Sequence, residues 1–277
     1  MISGKTALIA HIGYPTSTFK APMIYNPYFE DRGVDAVVVP MGVKADNYET
    51  VFRSIFSFTN IRGALITMPH KISTLALLDD VSITARIAGA VNAVRKEPDG
   101  RLVGDMFDGE GFVRGLLAKG FRVSGTRALI VGAGGVGSAI AASLAAAGIG
   151  RIVLYDTNEA TANALAARLQ AYYPRLAVGT GSNDPAGYDL VVNATPLGMN
   201  AGDPMPVDTR RLDARTFVGE VVLKDEKTAF LQAAEAQGCR VQIGVDMLFE
   251  MIPAYLEFFG FETTTAGELR RLARIQY

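Results

Sequence analysis

An α/β fold divided into two domains is what the sequence predicts, on three observations. The chain has 277 residues, enough for about two domains. Short apolar runs alternate with amphipathic stretches of helix length, the pattern of a parallel or mixed sheet with helices on its faces. From Thr126 to Leu144 runs TRALIVGAGGVGSAIAASL: an apolar run (Ala128, Leu129, Ile130, Val131), a glycine turn, then a helix rich in small residues. Strand, G-x-G-x-x-G, helix is the order of a dinucleotide-binding fingerprint, so one of the two domains is expected to be of Rossmann type.

Before the fingerprint, Ala7 to Ile12 and Val34 to Val39 read as short buried strands, separated by a glycine and proline loop and a helix around Ala21 to Asp31. An amphipathic helix over Asn47 to Phe56 follows, then a strand, Gly63 to Thr67, ending in Met68-Pro69-His70-Lys71. Between Gly89 and Val103 two short strands flank Glu97-Pro98-Asp99-Gly100, a turn sequence, and predict a hairpin. Asp108 to Leu117 is an expected helix leading out of this first unit. After the fingerprint come a strand (Arg151 to Tyr155), a helix (Glu159 to Leu169), strands at Leu190 to Ala194 and Phe217 to Val222, a helix (Thr228 to Ala236) and a strand (Arg240 to Ile243). From Asp246 onward the chain is helical with apolar residues on more than one face. Such a tail must pack on something, and returning to the first domain is the economical solution. The expected division is therefore 1–106 with 246–277 against 107–245.

Within the fingerprint, Gly132 makes the turn, Gly134 admits a pyrophosphate close to the backbone, and Gly137 lets the helix sit on the sheet, with Gly135 and Val136 completing the phosphate-facing helix start. Asp156 ends the next strand about 20 residues after Gly137, the place of the ribose-binding carboxylate. A carboxylate accepts hydrogen bonds from ribose hydroxyls and repels a 2′-phosphate, and Thr157, Asn158 and Glu159 supply no cation to neutralise one. NAD is the expected cofactor, with NADP disfavoured.

Bulk properties exclude several classes. A formal charge of −1 and a pI near 6.2 leave no footprint for nucleic acid or an acidic membrane. No segment approaches the ~20 apolar residues of a membrane span, and the start MISGKTALIAHIGYP lacks a signal-peptide core. One cysteine, Cys239, excludes an intramolecular disulfide, and with two histidines, His11 and His70, far apart in sequence, no metal site is expected. A cytoplasmic protein with a small-molecule partner, as a single chain or a homodimer, is the expectation.

Several ordered segments resemble the shikimate and quinate dehydrogenase family. GALITMPHK (Gly63 to Lys71) resembles its Thr-x-Pro-x-Lys loop, GAVN (Gly89 to Asn92) its GAVN turn, GDMFDGEG (Gly104 to Gly111) its Asn-x-Asp-Gly segment, and NATPLGM (Asn193 to Met199) its signature beside the nicotinamide. The resemblance implies an amino-terminal substrate domain, a Rossmann domain and a final helix folding back. It further implies Lys71 and Asp108 as the catalytic pair, Thr67 and Asn92 as substrate contacts, and Asn193, Ala194, Thr195, Met199 and Gly244 as cofactor contacts. Moving hydride from a secondary alcohol requires a group that takes the hydroxyl proton. A lysine can do so when desolvation lowers its pKa while a neighbouring carboxylate holds it in position. Taken alone, each of these two residues reads as ordinary: a solvated lysine and a turn or cap aspartate. His70 borders the lysine, and nothing in the sequence gives its ring a task.

The chain departs from the family pattern in its substrate loop, Ile12 to Asn26. The two serines that hold the substrate carboxylate in the family are here Phe19 and Ala21. The family's other polar contacts are here Leu65, Met106, Leu223 and Met251, so six substrate-binding positions are apolar. A hydrogen bond to a charged group is worth ~1.5–3 kcal/mol, so losing both serines lowers affinity for a carboxylated ring on the order of hundredfold. Lys20 lies between the replaced positions, and a loop lysine is more often solvated than aimed inward. The expected function is NAD-dependent, reversible hydride transfer on a compact, cyclic secondary alcohol, with shikimate a poor substrate. Two alternatives fit the residues: an NAD-binding sensor or partner protein without catalysis, and a folate-type dehydrogenase of similar layout.

Overall fold

A computed structural model describes residues 2–223 and 227–275. The expected domain segments also take in residues 1, 224–226 and 276–277, which lie outside the described residues. The chain divides into two compact units, 1–107 with 252–277 and 108–251.

The first unit holds strands β1 (Ala7–Gly13), β2 (Ala36–Gly42), β3 (Ile61–Ile66), β4 (Asp80–Val81), β5 (Ala93–Lys96) and β6 (Leu102–Asp105), in the order β2-β1-β3-β5-β6-β4. β1 runs parallel to β2 and β3, while β5 is antiparallel to β3 and β6. The sheet is mixed, as the alternation implied, and the β5–β6 pair is the expected hairpin, closed by Glu97 N–H to Arg101 O at 2.9 Å. Helices α1 (Pro22–Asp31), α2 (Tyr48–Phe56) and α3 (Ile83–Ala88) belong to this unit. α2 is amphipathic, and Tyr48, Phe52, Ile55 and Phe56 pack on Ala10 and Ile12 of β1 and Ala64 and Ile66 of β3. Each such side chain contributes roughly 1.5–3 kcal/mol on burial. α3 was not expected: it is short, capped by Ser82, whose Oγ accepts from Ala85 N–H at 3.1 Å, and ends on Gly89 at φ 65°.

The second unit opens with α4 (Asp108–Ala118) and carries β7 (Arg127–Val131), α5 (Gly135–Ala146), β8 (Arg151–Tyr155), α6 (Glu159–Tyr172), β9 (Ala177–Thr180), β10 (Leu190–Asn193), β11 (Phe217–Glu220), α7 (Ala229–Ala236) and β12 (Arg240–Gln242). Its strands are all parallel, in the order β12-β11-β10-β7-β8-β9. That is the doubly wound order, with the strand reversal beside β7. α4 lies against α5 closely enough that a Cβ on Gly109 would meet Ala139 O at 2.1 Å, so the glycine after Asp108 is required by helix contact. β9 was missed because Ala-Val-Gly-Thr is a small, half-exposed edge strand with no apolar run.

α8 (Gly244–Phe258) and α9 (Ala266–Leu272) complete the chain. The sequence placed the return to the first unit before Asp246, whereas the structure places it after Met251, inside α8. The cause is packing: the Cβ of Met251 and the carbonyl of Met247 lie against Gly111 of α4, which holds the first half of α8 in the second unit. Beyond that point Arg95 donates to Phe258 O at 2.7 Å and Arg62 to Gly260 O at 3.0 Å, capping the end of α8 within the first unit.

Candidate functional site

In the first unit the relevant residues gather at the carboxyl ends of β1 and β3, the end where ligands bind in open α/β sheets. Main-chain bonds fix the loops there. Thr67 N–H donates to Ile12 O at 2.9 Å, Tyr14 N–H to Met68 O at 3.0 Å, and Val91 N–H to Lys71 O at 2.9 Å. Asn92 is buried: its N–H donates to Asp105 O and its O accepts from Ile66 N–H, while its Oδ1 accepts from Phe107 N–H at 2.9 Å. Thr67, Lys71 and Asn92 are thereby tied into one backbone network. Lys71 is half-buried.

His70, given no task by the sequence, is structural. Its Nε2 lies 2.7 Å from Val43 O, its ring stacks on Tyr48 at 3.8 Å and 3°, and its carbonyl accepts from Thr74. The Tyr48 hydroxyl meets Thr74 Oγ1 at 2.6 Å, and burial pushes it up to about 12. This cluster anchors the residue before Lys71.

The expected pocket wall is apolar as built. Phe19 is 9% exposed, Leu65 and Met106 are buried, and Ala21 is half-buried just before α1. A Cβ on Gly13 would meet Thr67 Cγ2 at 2.3 Å and Phe19 Cζ at 3.0 Å, so Phe19 and Thr67 converge on the end of β1. Sequence reasoning missed His11. It lies on β1 opposite Leu65, stacks on Phe19 at 4.0 Å and 26°, and is only 8% exposed. Its Nδ1 is buried without a hydrogen-bond partner among the described residues, and desolvation lowers its pKa to about 4. The available signal was a histidine inside an otherwise apolar strand that feeds the substrate loop.

In the second unit Gly132 has φ 100°, open to glycine, and a Cβ there would meet Ala194 O at 2.8 Å. A Cβ on Gly137 would lie 2.0 Å from Gly132 O, so the start of α5 sits directly on the turn. Gly134 and Gly135 face open space, and Val136 is half-buried behind them. Asp156 Oδ2 accepts from Ala133 N–H at 2.8 Å and Oδ1 from Asn158 N–H at 2.9 Å, which aims the carboxylate at the glycine loop and leaves each oxygen a further lone pair. A glycine turn, a helix start and an oriented carboxylate fit a dinucleotide's pyrophosphate and ribose.

Asn193 bonds within its own loop. Its Oδ1 accepts from the N–H and hydroxyl of Thr195, and its Nδ2 donates to Leu197 O at 2.9 Å. These bonds shape the Ala194–Met199 turn, and the second N–H of Nδ2 is not used by them. Met199 and Leu223 are exposed, and Gly244 packs against the Val222 carbonyl, where a Cβ would fall at 2.3 Å. Asp108 is 5% exposed at the first position of α4. Among the described residues no group of three His, Cys, Asp or Glu could hold a metal, and no helix is long and apolar enough to cross a membrane.

Doubly wound sheet, glycine turn and carboxylate define a dinucleotide-binding protein, and comparison with known proteins narrows the class. Residues 11–94 match the shikimate dehydrogenase substrate binding domain, and residues 119–171 match the ThiF family. Shikimate dehydrogenase (NADP(+)) of Rubrobacter xylanophilus is 35% identical over 275 residues, 98% of this chain and 96% of that protein. Two solved structures are similar over 98% of this chain. They are the ligand-free 5-ketofructose reductase of a Gluconobacter strain (27% identity, TM-score 0.89, 98% of that chain) and the Listeria monocytogenes shikimate 5-dehydrogenase with shikimate and NAD (26%, 0.90, 97%). The chain belongs to the shikimate/quinate dehydrogenase family and is a nicotinamide-dependent dehydrogenase acting on CH–OH groups.

Proposed function

We propose that this chain transfers hydride reversibly between NAD and a compact, cyclic secondary alcohol that lacks shikimate's carboxylate. The observation that carries the reading is the Phe19–His11 stack. Where the family resemblance calls for a serine hydroxyl, a phenyl ring covers a desolvated imidazole, so these two stacked side chains offer neither a hydroxyl nor a cation to a carboxylate. The relative named for 5-ketofructose, a sugar without a carboxylate, supports such ligands on this fold.

In this reading the turn 132–137 and the start of α5 hold the pyrophosphate, and Asp156 takes the adenosine ribose. The turn 194–199 and Gly244 line the nicotinamide. When bound, the nicotinamide supplies the hydride acceptor or donor. Lys71 takes the alcohol proton during oxidation and returns it during reduction, with its backbone fixed through Val91. Asp108 is the positioning residue for the lysine, as the family resemblance implies. Thr67 and Asn92 orient the substrate. Asp156, with no neighbouring cation at 157–159, supports NAD over NADP, whereas the Rubrobacter relative is named for NADP(+).

The test is turnover followed at the absorbance of NADH, with shikimate, quinate and carboxylate-free cyclic alcohols, each with NAD and NADP. Faster oxidation of a carboxylate-free alcohol with NAD is expected, and shikimate with NADP as the best pair would sink the proposal. Lys71→Met should lower turnover by ~10²–10⁴ with NAD affinity nearly unchanged. A variant as fast as wild type, with the same pH profile, removes Lys71 from the mechanism.

A further inference from the structure

We propose that His11 recognises a second hydroxyl on the substrate, one that does not react, and thereby selects neutral diols and polyols over simple alcohols. The inference rests on the dehydrogenase reading above and names the substrate class of that same site.

Four observations carry it. First, His11 and Leu65 are direct partners across the parallel β1–β3 pair, and cross-strand partners point to the same face of a sheet. Leu65 is the position where the family resemblance calls for a substrate-binding asparagine, so the face that has lost an amide on β3 carries an imidazole one strand away. Second, the ring is held. Phe19, at the position of one absent serine, stacks on it at 4.0 Å and fixes one face. Third, Nδ1 is buried and has no hydrogen-bond partner among the described residues. Native structures leave few such atoms, and each calls for an explanation such as a partner that binds. Fourth, the neighbours Phe19 and Leu65 are apolar and buried, so neither side chain offers the imidazole a hydrogen bond.

The chemistry selects a hydroxyl. Burial keeps the imidazole neutral near pH 7, so it offers one donor and one acceptor nitrogen and no charge to attract a carboxylate. A hydroxyl both donates and accepts, and therefore satisfies Nδ1 in either tautomer. The reacting hydroxyl is assigned to Lys71, so the group that meets His11 is a second one. Losing a hydrogen bond of this kind lowers affinity by about tenfold.

The chain has two histidines, which makes the test direct. Protein labelled with ¹⁵N-histidine and loaded with NADH is titrated with trans-cyclohexane-1,2-diol, cyclohexanol and shikimate while the ring nitrogen resonances are followed. His70, whose Nε2 is already engaged by Val43 O, serves as the internal reference. The expected result is a saturable shift of His11 Nδ1 with the diol, none with cyclohexanol, and no change at His70. In parallel, His11→Leu should weaken the diol about tenfold without altering NADH or cyclohexanol, and His11→Asn, which keeps a polar atom near Nδ1, should restore it to within about threefold. His11 signals that no probe moves overturn the inference. So does a resonance already typical of a bonded nitrogen without ligand, which an internal water would produce, or a His11→Leu loss equal for diol and cyclohexanol. A shifted His11 with no turnover leaves the inference standing and defeats the dehydrogenase reading. Turnover of the diol with an unmoved His11 does the reverse.

Discussion

His11 makes the stability of the first unit depend on pH in a window that ordinary carboxylates do not reach. Its pKa falls from 6.5 to about 4 in the folded chain because the buried ring cannot be solvated once charged. Between those values the unfolded chain binds a proton that the folded chain refuses, so stability rises with pH through the window. The contribution is fully present above pH 6.5, falls away as pH drops towards 4, and is constant below that. At ~1.36 kcal/mol per tenfold change in proton affinity, the full swing is on the order of 3 kcal/mol. Urea unfolding of the ligand-free protein and of His11→Leu, followed by tyrosine emission at pH 7.5, 6.5, 5.5 and 4.5, reads it out. The substitution itself shifts both ends of the curve alike, so the quantity of interest is the change in the difference between the two proteins. Wild type should lose stability relative to His11→Leu by about 2–3 kcal/mol over that range. Parallel curves would show that the imidazole charges as easily inside as outside, and the burial argument would then be wrong.

Three further perturbations test other parts of the structure. Asp156→Ser should weaken NAD by ~1–3 kcal/mol and narrow or invert the preference over NADP, measured by fluorescence titration of the reduced cofactors; a wild type that already prefers NADPH refutes the role given to this carboxylate. Gly137→Ala places a methyl 2.0 Å from Gly132 O and should cost about 1–3 kcal/mol in urea unfolding together with cofactor affinity, whereas Gly135→Ala, which meets nothing within 4 Å, should leave stability within about 0.5 kcal/mol. Tyr25 is 2% exposed with its hydroxyl buried and unpartnered among the described residues, so Tyr25→Phe should raise stability by about 1 kcal/mol; a loss of that size would reveal a partner for the hydroxyl.

Much of the architecture is legible because it follows from local pattern. β8 spans the apolar run Arg151 to Tyr155 as read, since a strand buried on both faces is a short block bounded by loop residues. The glycine turn was legible for a related reason: positive φ at Gly132 and near contact at Gly137 leave few alternatives to glycine. β9 and α3 were not, because an edge strand of small residues and a helix of under two turns carry no periodicity. The boundary inside α8 was not either, since it depends on Met247 and Met251 packing against Gly111, a contact invisible in the sequence. Lys71 and Asp108 were readable only through family resemblance, being ordinary residues in isolation. The part played by His70 was beyond reach for the same reason, and His11 left only the signal of a histidine inside an apolar strand. A buried imidazole is defined by what faces it: Val43 O and Tyr48 make one an anchor, whereas Phe19 and Leu65 leave the other with an unmet nitrogen.

The backbone also explains how a reaction centre and a substrate wall can change independently. Thr67, Lys71 and Asn92 are placed by main-chain bonds to Ile12 O, from Val91 N–H, and from Ile66 N–H, none of which involves the side chain at 19, 21, 65 or 106. Replacing a serine by Phe19 or an asparagine by Leu65 alters what the pocket touches without moving the groups proposed to handle the proton. Constraint runs the other way for His70 and Tyr48: their stack and the Thr74 hydroxyl hold the loop just before Lys71, so substitution there would disturb the lysine directly. A chain that keeps the family's lysine and aspartate while replacing six polar contacts is therefore read as one whose chemistry was retained while its ligand changed.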